Sequence, residues 1–323
     1  MSTLHDQLTQ IQRTGAGGFA ATKLGNDHAS VTRTVRRHRT ARAAATTVTG
    51  VGVVGAAAWG AMASFAFNDE LTPQAPAPSA ASVSPSPSPS PSTTRVENTL
   101  ALPAGKTLDF IAATLAGAYG ASQEDASVAL ASAVQEFIPE ASTAEGWPMP
   151  GTFDLAGFAT MSDAADMLVA ARVTELTALG VPRDDWQTTL TKASLVEREA
   201  ALDENRPKIA RVIDNRLAQD MRLELDSTVK YYATSEGVFT TAEERAVDSP
   251  YNTYVYRGLP PGAIATPSTE SIRAVLSPAA GDWLFFVTVN LETGEALFAA
   301  NYEEHLDNVA VLQEWAAAHE TTG

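Results

Sequence analysis

The sequence predicts an α+β protein built in series: a single N-terminal transmembrane helix, a proline-rich stalk, a small subdomain, and a larger mixed α+β domain. Three observations predict it. An uncharged apolar run separates a basic stretch from acidic residues, and a proline–serine alternation follows it. Beyond that, long segments of helical period give way after Leu217 to short strand-like runs and turns.

Residues 1–42 form a basic, polar tail, expected to be disordered, with phospholipid headgroups as its electrostatic partner. Residues 1–45 carry seven basic and two acidic side chains, which leaves −21 on the remainder against −16 for the whole chain. Residues 43–67 contain no charge and exceed the ~20 apolar residues that cross a bilayer core. Arg33, Arg36, Arg37, Arg39 and Arg42 precede this run, while Asp69 and Glu70 follow it. The positive-inside rule therefore expects a single-pass anchor in the cell membrane, its N-terminus cytoplasmic and the bulk of the chain extracellular. The competing reading is a cleaved leader, since Ala61-Met62-Ala63 resembles a cleavage site, but more than forty residues would precede it. Residues 68–95 form a linker in which Pro73–Pro91 alternates proline with serine and alanine, a composition that builds no core and favours an extended stalk.

From Val96 onward the texture is globular. Thr99–Pro103 reads as a short strand, and Leu108, Ile111, Ala112 and Leu115 mark one face of a first helix. A second helix is expected over Gln123–Glu136, then a loop from Glu145 to Phe153 punctuated by Pro148, Pro150 and Gly151. Long helices are expected over Leu155–Leu179 and Asp185–Ala201. Pro207 suits a first helical turn, after which Ile209, Val212, Ile213 and Arg216 share a stripe. Arg222–Asp226 and Tyr254–Arg257 read as short strands, and Trp283–Val289 with Ala296–Ala299 as a hairpin. Tyr302–Trp315 reads as a closing helix with Leu306, Val309, Ala310 and Gln313 facing inward.

Composition narrows the chemistry. With no cysteine, neither disulfides nor thiolate metal sites are available, and His5, His28, His38, His305 and His319 show no metal-ligand spacing. No metal and no cofactor are implied. The acidic body would repel nucleic acid. One carboxylate is unusual: Leu190, Ala193 and Ser194 lie seven, four and three residues before Glu197, so all four share a helical face. A charge on such a face is costly to bury, and a group kept protonated by burial suits general-acid work. Periodicity alone favours the plainer alternative, in which Glu197, Arg198 and Glu199 are the wet side of a surface helix.

Taken in order, Ala193-Ser-Leu-Val-Glu-Arg-Glu, Asn215-Arg-Leu, Asp226-Ser-Thr-Val, Tyr251-Asn-Thr-Tyr and Gly258-Leu-Pro-Pro-Gly-Ala-Ile-Ala resemble the MltG (YceG-like) endolytic murein transglycosylases. The loop from Glu145 to Phe153 resembles that family's upstream glutamate–glycine–aromatic loop. The resemblance implies a shortened LysM-like subdomain at 96–150 and a catalytic YceG-like transglycosylase domain at 151–323. It implies a lyase that cuts the MurNAc–GlcNAc bond within nascent peptidoglycan glycan strands, leaving 1,6-anhydro-MurNAc ends. Carried over by position, Glu197 is the catalytic glutamate. Glu145, Ser194, Asn215, Arg216, Asp226, Thr228, Tyr251, Asn252 and Tyr254 become substrate-binding or supporting residues. Glu199 is the runner-up acid, read as a structural ion-pair member. Implied partners are the glycan strands themselves and, beside them, peptidoglycan synthases or division proteins. Two positions depart from the family pattern: Glu224 where glutamine is common, and Ser227 where proline is common. The rival function is a non-catalytic wall-binding or divisome scaffold with the same fold.

Overall fold

A computed structural model describes residues 99–233 and 240–320. The tail, membrane-helix and stalk expectations all lie outside the described residues. Among the described residues, no helix is long and apolar enough to cross a membrane.

Strand β1 (Thr99–Leu102) alternates exposed and buried residues, with Leu100 and Leu102 turned into the core. Helix α1 (Leu108–Tyr119) buries Ile111, Ala112, Leu115 and Ala116, and Gly120 stops it in the left-handed conformation at φ 62°. Helix α2 (Gln123–Phe137) starts where the Ser122 side chain accepts the Asp125 amide, and buries Ala126, Leu130, Ala133 and Val134. The expected loop of 145–153 ends in a second strand, β2 (Gly151–Asp154), antiparallel to β1 with Leu102 opposite Gly151 and Thr99 opposite Asp154. A boundary at residue 150 would therefore divide this sheet. The first unit is strand–helix–helix–strand and continues through at least Asp154.

Helix α3 (Met161–Ala178) begins later than expected, because Thr160 and Asp163 close a capping box there. It packs on α2. Helix α4 (Trp186–Glu199) runs from this first core into the second. Helix α5 (Arg206–Ala218) has Pro207 in its first turn and buries Ile209, Val212, Ile213 and Arg216, as their spacing requires.

Neither expected short strand forms. Arg222 and Leu223 give their carbonyls to the Arg216 guanidinium at 3.2 and 2.7 Å, and Glu224 takes a positive φ of 49°. Asp226 then opens helix α6 (Asp226–Tyr232). At Tyr254–Arg257 the chain turns, with the Val255 and Tyr256 amides returning to the Asn252 carbonyl at 3.1 and 2.9 Å. A short helix α7 (Ala242–Arg245) precedes this turn, and helix α8 (Thr269–Leu276) follows it. The hairpin of β3 (Phe285–Asn290) and β4 (Glu295–Ala299) forms as expected.

The closing helix α9 (Tyr302–Glu320) is longer than its sequence reading, and its face is rotated. His305, Val309, Leu312 and Ala316 are buried, whereas Leu306 is 45% exposed and Ala310 and Gln313 face solvent. The inward stripe follows i, i+4, i+7 spacing from a histidine, which an aliphatic-only reading passes over.

Three apolar clusters result: α1–α3 with the start of α4; the end of α4 with α5, α8 and the β3–β4 edge; and β3 with α9. A reciprocal backbone pair stitches the first two. The Gly105 amide donates to the Thr266 carbonyl, and the Thr266 amide to the Lys106 carbonyl, both at 2.8 Å.

Candidate functional site

Helix α4 is buried nearly all round at its C-terminal end. Leu190, Ala193 and Ser194 are fully buried and Glu197 is 7% exposed, so the four residues do share an inward face. The solvent-facing alternative for Glu197 and Glu199 is thereby overturned. Partners from two later helices make this burial tolerable.

Glu197 is held at one oxygen. Its Oε2 accepts the Ser268 amide at 3.0 Å, the Ser268 hydroxyl at 2.5 Å, the Ser271 hydroxyl at 2.7 Å and Arg206 Nη1 at 2.8 Å. Ser268 is also the N-cap of α8, its hydroxyl accepting the Ser271 amide at 3.2 Å. Glu197 thus pins α4 to the start of α8 and to the first turn of α5. Oε1 takes no part in these four bonds.

Glu199, two residues on, faces a different wall. It is 3% exposed, and its Oε1 accepts the Ser227 amide at 3.3 Å. Its buried Oε2 has no hydrogen-bond partner among the described residues. Burial pushes the carboxyl up to about 7, against the pull of Ser227, and the neighbouring Asp226 charge adds to the rise. Ser227 stands where the resembled family commonly has proline, and the amide it donates is one that proline lacks.

Asp226 sits beside them, 1% exposed. Its Oδ1 accepts the Tyr254 hydroxyl at 2.5 Å and the Thr240 hydroxyl at 2.6 Å, while Oδ2 is unpartnered among the described residues. Burial raises its proton affinity and these two donors oppose the rise. Glu224 lies apart from Glu197's four donors. Its carboxylate approaches Arg216 at 3.6 Å with 30% of its side chain exposed, and its amide donates to the Thr253 carbonyl.

A fourth buried carboxyl, Glu145, stands where the first two apolar units meet. Both oxygens of Glu145 accept the Leu108 amide, at 2.9 and 3.0 Å, and the Tyr231 hydroxyl donates to Oε2 at 3.3 Å. Burial pushes this carboxyl up to about 7 as well. Tyr231 packs on Tyr251 with ring centroids 4.8 Å apart.

The remaining expected site residues are engaged in holding the scaffold. The Ser194 hydroxyl donates to the Thr191 carbonyl and accepts the Ile264 amide at 3.0 Å, fixing the Gly258–Ala265 loop on α4. Asn215 donates to the Gly281 and Trp283 carbonyls. Arg216 donates to the Leu284 carbonyl at 2.6 Å and to those of Arg222 and Leu223. The Thr228 hydroxyl donates to the Leu225 carbonyl and meets Thr253 at 2.9 Å. Asn252 donates to Arg245 and Val247 carbonyls and accepts the Tyr254 amide, shaping the loop that aims Tyr254 at Asp226. The structure thus brings Glu199, Asp226 and Tyr254 together, and gives Asn215, Arg216, Thr228 and Asn252 supporting contacts.

Sequence reasoning missed Arg206, Ser268, Ser271, Tyr231 and Thr240. Only Ser268 carried a local signal, as a serine after Pro267 opening an apolar helical stripe. The partners of the others are far away in sequence, and no periodicity reports them.

Comparison with known proteins sets these residues in context. The YceG-like family matches residues 70–311. Over 243 residues the chain is 32% identical to the endolytic murein transglycosylase of Streptococcus pneumoniae, covering 66% of this chain and 44% of that protein. Over 116 residues it is 41% identical to the endolytic murein transglycosylase of Bacillus subtilis, covering 36% and 32% respectively. The chain therefore spans less than half the length of either relative. The crystal structure of a YceG-like protein from Listeria monocytogenes superposes with a TM-score of 0.56 at 32% identity, covering 65% of this chain and 76% of that one.

Proposed function

The chain belongs to the YceG-like family, and from that premise we propose that it is a peptidoglycan lytic transglycosylase acting within glycan strands. Relatives named endolytic murein transglycosylase support the reaction class. The observation that carries it here is a buried carboxyl, Glu199, with one oxygen unpartnered and its proton held up to about pH 7.

A lytic cut needs one group that gives a proton and takes it back. Glu199 donates its proton to the oxygen between MurNAc and GlcNAc, and the muramyl C1–O bond breaks. The same sugar's C6 hydroxyl then bonds to C1 and returns its proton to the carboxylate. The product carries a 1,6-anhydro-MurNAc end, and no water is consumed. A single acid suffices because nucleophile and substrate are one molecule, unlike the paired carboxylates of ordinary glycosidases. Arg198, on the same helix, and Lys230, on α6, bring positive charge to the carboxylate when it forms.

Motif position alone assigns the acid's role to Glu197, whereas the geometry favours Glu199. Four donors already occupy Glu197 Oε2, so Glu197 anchors the helix that carries the acid. The membrane anchor and stalk would hold this domain outside the cell, close to nascent strands.

The test is mass spectrometry of uncrosslinked glycan strands digested by the full-length protein, wild type beside Glu199→Gln and Glu197→Gln. Anhydro-muramyl ends that vanish with Glu199→Gln and persist, reduced, with Glu197→Gln support the assignment. The reverse pattern returns the role to Glu197. Strands bound but unshortened by the wild type would leave the scaffold reading.

A further inference from the structure

Glu199 Oε2, Asp226 Oδ2 and Ser227 Oγ are buried and make no hydrogen bond among the described residues. They are neighbours, since the Ser227 amide donates to Glu199 Oε1 and Asp226 precedes Ser227 in α6. Two adjacent carboxyls in so dry a place do not both ionise at ordinary cost. They are also unequal. Asp226 Oδ1 is fixed by two hydroxyl donors, Tyr254 and Thr240, at 2.5 and 2.6 Å, whereas Glu199 is met by Ser227 alone, its amide at 3.3 Å. Hydrogen bonds to the charged form favour that form, so the negative charge rests on Asp226 and the proton on Glu199.

We infer that Glu199 and Asp226 work as a pair sharing one proton, with Asp226 as the positioning residue that keeps Glu199 loaded as the acid. The inference rests on the reading of Glu199 as the acid of the proposed lytic cut. The surrounding charges suit a pair that is singly negative at rest. Arg198 on α4, Arg216 on α5 and Lys230 on α6 face Glu199, and Arg245 on α7 with Lys230 faces Asp226. When Glu199 gives its proton to the leaving oxygen the pair becomes doubly negative for as long as the oxocarbenium-like sugar lasts. These cations and the sugar's own positive charge offset it until the C6 hydroxyl restores the proton. Tyr254 is the device that keeps the pair asymmetric, and Asn252 shapes the loop that presents it.

The test reads the proton directly and does not depend on turnover. Full-length protein carrying ¹³C-labelled Glu and Asp carboxyls is titrated by NMR, the Glu199 signal being identified by its loss in Glu199→Gln. Asp226→Asn is expected to lower the Glu199 midpoint by about one pH unit or more, a tenfold loss of proton affinity. The high-pH limb of strand cleavage should move down with it. Tyr254→Phe, which leaves both carboxyls in place, should shift the shared proton toward Asp226 and lower the Glu199 midpoint in the same direction. Unchanged midpoints in both variants would overturn the pair. Wild-type protein that cuts no strands, while the midpoints still shift, would instead sink the proposed function and leave the coupling standing.

Discussion

Removing the Glu197 carboxylate should damage stability more than chemistry, and the structure sets the size of the loss. The side chain is 8% exposed and its Arg206 partner 13%. A hydrogen bond to a charged group contributes ~1.5–3 kcal/mol, but four donors sharing Oε2 do not add. Breaking a buried ion pair from one side costs ~3–5 kcal/mol, because the surviving charge is left without a partner. Glu197→Ala strands Arg206 along with the Ser268 and Ser271 hydroxyls, so a loss of about 4 kcal/mol is expected. At ~2–4 °C per kcal/mol for a fold of this size, the midpoint falls by roughly 8–16 °C. Urea unfolding followed by tryptophan fluorescence measures it, since Trp147 and Trp186 lie in the neighbouring core. The double variant Glu197→Met/Arg206→Met removes both charges and should recover most of the loss. A single variant costing under ~1 kcal/mol, or a double variant costing the sum of two singles, would refute the anchoring argument.

Other outcomes follow from the same contacts. Glu199 has a carboxyl raised to about 7 from an ordinary 4.5, so the folded protein holds more protons than the unfolded chain between those values. Stability is therefore lost as pH rises through that window. Glu199→Gln should be more stable than wild type at pH 8 by on the order of 1–3 kcal/mol, and no more stable at pH 4, by thermal unfolding. His305 works in the opposite sense. Both ring nitrogens are buried and unpartnered among the described residues, the ring stacks on Phe285 at 5.1 Å, and burial lowers it to about 4 from 6.5. Stability is full above 6.5 and falls as pH drops toward 4, so His305→Phe should flatten the acid limb of a midpoint-versus-pH curve. Gly146 has φ 84°, and a Cβ there would lie 2.5 Å from Ala263 Cβ. Gly146→Ala should cost ~2 kcal/mol or more in urea unfolding, while Gly157→Ala, with open space around it, should stay within ~0.5 kcal/mol.

What was legible in the sequence was what repeats along it. The faces of α1, α4 and α5 follow apolar spacing, and the hairpin follows β-branched and aromatic runs. Leu190, Ala193 and Ser194 put Glu197 on a shared face, yet periodicity alone favours the wet side. Its burial and role were not legible, because Ser268, Ser271 and Arg206 come from other elements. Leu223 and Leu225 are buried and alternate as a strand would, yet the backbone between them is claimed by Arg216 and Thr253. Glu199 looked like the outer member of a charged trio. Only the return of Asp226 and Ser227 against it in space distinguishes it from Glu197.

The stitch between Gly105–Lys106 and Thr266 has a consequence for how the protein is born. The first core needs α3 and the start of α4 besides the β1–β2 pair, so most of it can form once Ala193 has left the ribosome. Thr266 and Ser268 emerge long afterwards, and joining them to a distant turn closes a large loop of chain. During that interval α4 carries Glu197 with none of its α8 contacts in place, an acid-bearing helix waiting for a wall. The site is therefore completed only once α8 emerges, on an N-terminal core already largely formed.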